Sequence, residues 1–237
     1  MSHLSYLRYL RLSKDRVRIG ALTRVRDLDC NVLMKRGFTS LAEAARGFGG
    51  AAIANMATVG GNVATALPTS DLVPIFLSLD ADVQLKSYRG KRTVKFQDFL
   101  LGGGKTIRRP EELITEINFR IPRGHNVSSF RKIGGRSANC LALVSLAVFL
   151  NFDRTKTIEE AGVAFSEIRR GTPGRARFVE LGLRGRKLTE DVIQKASAEL
   201  DLDLPAESAS EMRTRYWKVA AHNLLRDRLR ACRRMGD

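Results

Sequence analysis

Thr58, Gly60, Gly61 and Asn62 fall within five residues of one another in Ala57-Thr58-Val59-Gly60-Gly61-Asn62-Val63-Ala64, and Pro68-Thr69-Ser70-Asp71 follows closely. A hydroxyl, two adjacent glycines and an amide in that space suit the oxygens of a phosphate or pyrophosphate. Neighbouring glycines permit positive φ and let backbone approach a ligand with no Cβ in the way. Successive N–H groups in such a turn form an anion-binding nest, and a helix start adds more free N–H groups. The same residues also make an ordinary turn between elements, and the stretch alone does not separate the two readings.

Other residue types point to less chemistry. Gly104-Lys105-Thr106 resembles the end of a phosphate-binding P-loop, but Phe99 stands where that pattern needs its first glycine, so a structural loop is the better reading. Cys30, Cys140 and Cys232 are far apart and form no CxxC, which argues against a disulfide framework or a thiolate-bound metal cluster. Reduced thiols in a cytoplasmic protein are expected instead. His3, His125 and His222 show no ligand spacing, so no metal site is expected, and no side chain stands out as a catalytic group. With 41 Lys and Arg against 25 Asp and Glu, the net charge is +16. That balance raises nucleic-acid binding, yet the basic residues are spread along the chain without an aromatic RNA-binding motif or zinc-finger spacing. A solvated basic surface, or a face for an acidic partner subunit, accounts for the charge better. No apolar leader and no run near the roughly 18 residues of a membrane helix is present.

The elements that must position these residues follow from pattern. Arg16 to Gly20 alternates as a strand, and Thr23 to Leu33 reads as a helix capped by Thr23. Thr39 to Ala45 reads as a helix with Ser40 as N-cap and Glu43 closing a capping box. Ser70 or Asp71 can cap the apolar helix that starts at Leu72. Ala81 to Lys86 and Arg92 to Phe96 make a hairpin, and Glu112 to Ile121 and Ser128 to Ile133 make further strands. The apolar run Leu141 to Phe152 suits either a buried strand or a short buried helix. Ala161 to Ile168 reads as a strand. Thr189 to Leu200 and Glu211 to Arg234 read as helices, the second with Trp217, Ala220, Ala221, Leu224 and Leu229 as its apolar stripe. The class is α+β, with a boundary near Ile121 to Asn126.

Taken together, these segments resemble a known family. Ala57-Thr58-Val59-Gly60-Gly61-Asn62 with Pro68-Thr69-Ser70-Asp71 is similar to the ATIGGN…SPxSD signature of the FAD-binding medium subunit of molybdenum hydroxylases, the xanthine dehydrogenase and aerobic carbon monoxide dehydrogenase type. Arg16 to Leu22 resembles that family's RIGAL strand. Arg109-Pro110-Glu111-Glu112-Leu113-Ile114 resembles its RPxELL segment, and Phe130 to Arg136 its F-x-K-x-x-x-R segment. Gly162-Val163-Ala164 and the Glu180 to Gly185 stretch resemble its C-terminal domain. The likeness runs through nearly the whole chain in the family's order.

The resemblance implies an FAD-binding domain of the molybdopterin-dehydrogenase flavoprotein type over residues 1–122. A small α+β C-terminal domain, a three-stranded antiparallel sheet with helices, is implied over residues 126–237. It implies FAD as cofactor, with pyrophosphate and ribityl contacts at Ala57, Thr58, Gly60, Gly61, Asn62 and Ala64. Ser70 and Asp71 would lie on the ribityl or adenosine side, and Leu113 and Ile114 would pack against the flavin or adenine. Lys132 would lie near the isoalloxazine, where a cation favours the charged reduced form. The implied partners are an iron–sulfur small subunit and a molybdenum-cofactor large subunit, with electrons passing through FAD to NAD, a quinone or another acceptor in the cytoplasm. Family members also grip the pyrophosphate with an earlier Gly-Gly-Thr loop, and this sequence starts beyond its place. The resemblance therefore implies one jaw of a clamp, and a contact sum divided over two loops binds weakly when halved. Two positions depart from the pattern, Ala54 in place of an arginine and Asn139 in place of an acidic residue. A flavin-free docking subunit and a basic nucleic-acid-binding protein are the alternative functions.

Overall fold

The computed structural model of this chain describes residues 4–135, 141–169, 172–204 and 212–236. After a short 3-10 turn come β1 (Leu10–Ser13) and β2 (Arg16–Gly20). Six short helices follow: α1 (Val25–Cys30), α2 (Val32–Gly37), α3 (Thr39–Arg46), α4 (Ala51–Met56), α5 (Val59–Thr65) and α6 (Leu72–Ser78). Next are β3 (Asp82–Ser87), β4 (Gly90–Lys95), α7 (Phe96–Phe99), β5 (Leu100–Gly102), β6 (Lys105–Thr106) and β7 (Leu113–Arg120). The chain then forms β8 (His125–Gly134), β9 (Ala142–Phe152), β10 (Ile158–Arg169) and β11 (Thr172–Arg175). It ends with α8 (Arg177–Leu183), α9 (Glu190–Asp203) and α10 (Met212–Gly236).

The first sheet has the order β1-β2-β7-β3-β4, every pair antiparallel. Its alternation puts Val17, Ile19, Val83, Leu85, Ile117 and Phe119 on the face that α1, α3, α5 and α6 cover. Phe38 meets Phe119 edge-on with ring centroids 4.9 Å apart. The other face is polar and closes on itself. Tyr9 Oη donates to Glu116 at 2.6 Å, Arg18 Nε to Glu116 at 2.7 Å, and Arg16 to Asn118 at 2.6 Å and to Asp82.

The second sheet runs β11-β10-β9-β8, also antiparallel. It thus has one short strand, β11, beyond the three expected from the sequence. Leu146, Val148, Leu150, Val163 and Phe165 pack under α8, α9 and α10. From the opposite face Phe130, Ala147, Phe149 and Ala164 join the core of the first sheet. β9 is therefore buried on both sides, which is why its sequence carries an apolar run, interrupted by Ser145 and Asn151, without strand alternation.

Three local expectations change. Asn31, not Thr23, is the cap that matters: its Oδ1 accepts from Leu33 N at 2.9 Å and Met34 N at 3.4 Å, splitting the expected helix in two. Thr23 instead ties its hydroxyl to Tyr9, accepting from its N–H at 3.1 Å and donating to its carbonyl at 2.7 Å. Glu43 closes no capping box. Its carboxylate accepts from Phe130 N at 2.6 Å and Ser129 Oγ at 3.1 Å, while Ser40 N donates to Ser128 Oγ at 3.1 Å. Both residues are spent joining α3 to β8, so tertiary partners override the local motif.

The C-terminal end of α6 lies on β10 at Gly162, where an added Cβ would collide with the carbonyl of Ser78. That carbonyl is backbone and cannot swing aside like a side-chain tip, so Gly162→Val is expected to lose about 3 kcal/mol by overpacking. Gly37→Ala, where an added Cβ meets nothing within 4 Å, is the control that thermal unfolding should show as neutral.

Candidate functional site

The loop from Ala57 to Asn62 is held by the segment that follows β2. Val25 N donates to Ala57 O at 3.0 Å, Val59 N to Thr23 O at 2.9 Å, and Gly60 N to Ala21 O at 2.8 Å. Ala21 in turn donates its N–H to Thr115 O at 3.0 Å. A Cβ on Gly60 would stand 2.7 Å from Ala21 Cβ and 2.8 Å from Ala21 O, so Gly60 is a packing glycine. Gly61 is exposed, and an added Cβ there would meet only Thr58 Oγ1, at 3.0 Å.

This geometry corrects the expectation of an open amide nest. Gly61 N donates to Thr58 Oγ1 at 3.1 Å and Asn62 N to Thr58 O at 3.0 Å. The N–H groups of Val59 to Asn62 are thus all engaged inside the protein. Docking the loop against Ala21 and Thr23 consumes two of them, and the N-cap and the first helical turn consume the others. What the loop offers outward is the Gly61 backbone, the Thr58 hydroxyl proton and the amide NH2 of Asn62, which donates nothing among the described residues.

Two links join the end of α5 to the start of α6, and a third bond lies within α5. Asn62 Oδ1 accepts from Leu72 N at 3.2 Å. Thr65 Oγ1 donates to Asn62 O at 2.7 Å and lies 3.1 Å from Ser70 Oγ. Ala66 closes α5 with φ +46°, a left-handed conformation that a residue with a Cβ adopts only when its surroundings impose it. Asp71 stands at the N-cap position but caps nothing with its side chain. Its Oδ2 instead accepts from Lys132 Nζ at 2.6 Å, across to β8, and Asp71 is 5% exposed. Its other oxygen, Oδ1, is buried without a partner. Burial pushes the Asp71 carboxyl above its usual range, and Lys132 acts in the opposite direction.

Leu113 is 45% exposed at the start of β7, whereas Ile114 lies in the core of the first sheet. Only its backbone is left to meet a ligand, because strand alternation turns its side chain inward. Ala64 is exposed on α5, one turn from Gly61 on the same face, and Ala57 is half-buried. Arg136, Asn139, Cys140 and His3 lie outside the described residues. Sequence reasoning missed Ala21, Thr23 and Thr65 as parts of the site. The signal for Ala21 was a small residue closing the RIGAL strand, as a glycine-faced helix needs. The structure thus gathers Thr58, Gly61, Asn62, Ser70, Asp71 and Lys132 around one loop-to-helix junction.

A dinucleotide fits the side-chain donors and acceptors of this junction. The Asp71 Oδ1 is closed off from solvent without a donor, an arrangement that costs free energy as it stands. The bare Gly61 face admits a close approach, and Thr58 and Asn62 supply protons to phosphate oxygens. Among the described residues no group of three or more His, Cys, Asp or Glu is placed to hold a metal ion, and no helix is long and apolar enough to cross a membrane.

Comparison with known proteins gives the family of the chain. Residues 1–123 match the family described as the FAD binding domain in molybdopterin dehydrogenase, and residues 129–232 match the CO dehydrogenase flavoprotein C-terminal domain. The chain is 31% identical over 201 residues to the glyceraldehyde dehydrogenase medium chain of Sulfolobus acidocaldarius, covering 84% of this chain and 70% of that one. It is 30% identical over 176 residues to the nicotinate dehydrogenase FAD-subunit of Eubacterium barkeri, covering 73% of this chain and 57% of that one. Among solved structures, carbon monoxide dehydrogenase from Hydrogenophaga pseudoflava superposes with a TM-score of 0.87 at 24% identity. That match covers 98% of this chain and 80% of the other, and it shows a shared fold.

Proposed function

This chain belongs to the family of FAD-binding medium subunits of molybdenum hydroxylases, the xanthine and carbon monoxide dehydrogenase type, and we propose that it relays electrons between a partner's iron–sulfur clusters and a terminal acceptor. It is an oxidoreductase subunit that binds FAD. FAD, when bound, supplies the redox chemistry; the chain binds and orients it. We assign its contacts to Thr58, Gly61 and Asn62 on the pyrophosphate and to Ser70 and Asp71 on the sugar or ribityl hydroxyls. Ala57, Gly60 and Ala64 shape that surface, Leu113 and the Ile114 backbone flank it, and Lys132 faces the ring.

The observation that carries this assignment is the buried Asp71 carboxylate. One oxygen is fixed by Lys132 and the other is buried without a partner, so a sugar or ribityl hydroxyl would satisfy it once the side chains that cover it part. Asp71 and Lys132 also couple the two parts of the chain, which we read as an FAD-binding domain over residues 1–122 and a C-terminal domain over residues 126–237. The exposed free thiol of Cys30 supports a reducing, cytoplasmic setting. NAD, a quinone or another acceptor would take the electrons, and the substrate would be oxidised on a molybdenum-cofactor large subunit.

Co-expression with a two-cluster iron–sulfur subunit and a molybdenum-cofactor subunit tests the relay. The expected result is a stable complex in which reduction of the clusters bleaches the flavin absorbance. A complex that forms but carries no flavin would leave a docking subunit and refute the relay.

A further inference from the structure

Away from the flavin junction, the seam between the two sheets forms a cleft of about 440 Å³. α6 separates the two places. Asp71 stands at its start, while Ser78, Leu79 and Asp80 at its other end line the cleft, about 10 Å away for seven residues rising about 1.5 Å each. Arg16, Lys95, Arg120, Arg175, Arg177 and Arg184 converge there from both sheets and α8. Three acidic side chains, Asp80, Glu159 and Glu160, also line it, so cations lead by six to three.

The cations differ in what they already hold. Arg16 is paired with Asp82, Lys95 with Asp80 and Asp82, and Arg177 with Glu180 at 3.4 Å and with Gln97 at 2.6 Å. The Arg175 side chain is 8% exposed and rigidly placed: its Nε donates to Glu180 at 2.7 Å, its Nη2 to Ala161 O at 3.1 Å, and its Nη1 lies 3.7 Å from Asp80. Arg120 and Arg184, in contrast, have no carboxylate partner among the described residues. Arg184 reaches only the carbonyl of Ala161, at 3.5 Å. Two unpaired guanidiniums beside a fixed buried one, in a recess rather than on a flat face, suit a small compact polyanion with several acceptor oxygens.

We propose that this cleft binds a small anion of the phosphate or pyrophosphate class, free or as part of a nucleotide, through Arg120, Arg184 and Arg175. The inference does not depend on the flavin assignment. Titration of the full chain with inorganic pyrophosphate by isothermal calorimetry, alone and with one equivalent of FAD, tests it. One ion per chain should bind, unaffected by FAD and weakened by salt. Arg120→Gln and Arg184→Gln should each weaken binding about tenfold, the loss of one charge-assisted hydrogen-bonding group. Glu160→Gln should tighten it, a gain that no loss of folding can mimic. Titration with ADP against AMP separates a nucleotide from the free ion: tighter binding of ADP marks a pyrophosphate-bearing nucleotide, while equal or weaker binding of both than of pyrophosphate marks the free ion. No binding, binding abolished by a single equivalent of FAD, or binding indifferent to all three substitutions would overturn the proposal. So would binding of poly-glutamate in the cleft with none of pyrophosphate.

Discussion

Gly61→Val is expected to give a folded protein that no longer retains flavin, whereas Gly60→Val is expected to lose the fold. The two glycines are neighbours with opposite duties. Gly60 faces Ala21 so closely that a Cβ would stand 2.7 Å from that side chain and 2.8 Å from its carbonyl. A valine there must push α5 off β2, breaking the bonds from Val59 and Gly60 to Thr23 and Ala21, at about 3 kcal/mol or more. Gly61 faces out, is helical, and has only the Thr58 hydroxyl near its missing Cβ. A valine there costs little helix stability but sets two methyls where a pyrophosphate would lie. Flavin affinity should fall about 100-fold, or about 2.7 kcal/mol, with the circular dichroism melting curve nearly unchanged. Flavin held by Gly61→Val as in the parent chain would remove the loop from the site.

Lys132→Met is expected to be the most costly exposed-looking change, because it strands a buried charge. The Asp71 side chain is 6% exposed and that of Lys132 14%, and they meet at 2.6 Å. Breaking such a pair from one side costs about 3–5 kcal/mol, since the remaining carboxylate has neither water nor partner. The sign with pH follows from Asp71. Its carboxyl in the folded chain already sits above the 3.8 of the unfolded one through burial, and losing Lys132 raises it further. The folded state then holds its proton where the unfolded state has released it. The variant's deficit should therefore be small below about pH 3.8, grow as pH rises through the raised value, and level off above it. Urea unfolding at pH 4 and pH 7 measures this. Adding Asp71→Asn to Lys132→Met should recover most of the stability and none of the flavin. A deficit independent of pH would mean that Asp71 does not feel its loss.

Much of the fold is legible in the sequence because its strands alternate cleanly. Val17 and Ile19, Val83 and Leu85, and Ile117 and Phe119 mark one buried face of the first sheet by their spacing alone. β9 is not legible in this way, because burial on both faces erases the period that separates strand from helix. Capping by Ser40 and Glu43 misleads for a related reason. Their motif is local, whereas their partners, Ser128, Ser129 and Phe130, lie more than eighty positions along the chain. β11 is too short, and too rich in glycine and proline, to announce itself as a strand.

At the site, residue types are legible and their division of labour is not. Two glycines in a row look alike in a sequence. Only the approach of Ala21 shows that one is for packing and that the other faces out. The Asp71 carboxylate likewise reads as a helix cap until Lys132, sixty-one residues later, is seen to claim it. Family resemblance supplies Lys132. Pattern alone leaves it a surface lysine of β8.

Titration of the purified full chain with FAD, followed by flavin fluorescence quenching and the absorbance of the protein peak after gel filtration, tests the central claim most directly. One FAD per chain should be retained by the parent protein, and Asp71→Asn, compared at a temperature where circular dichroism shows it folded, should weaken retention. A folded chain that keeps no flavin at saturating FAD, or one whose flavin is indifferent to both Asp71→Asn and Gly61→Val, would contradict the assignment of the junction between α5, α6 and β8 as the FAD site.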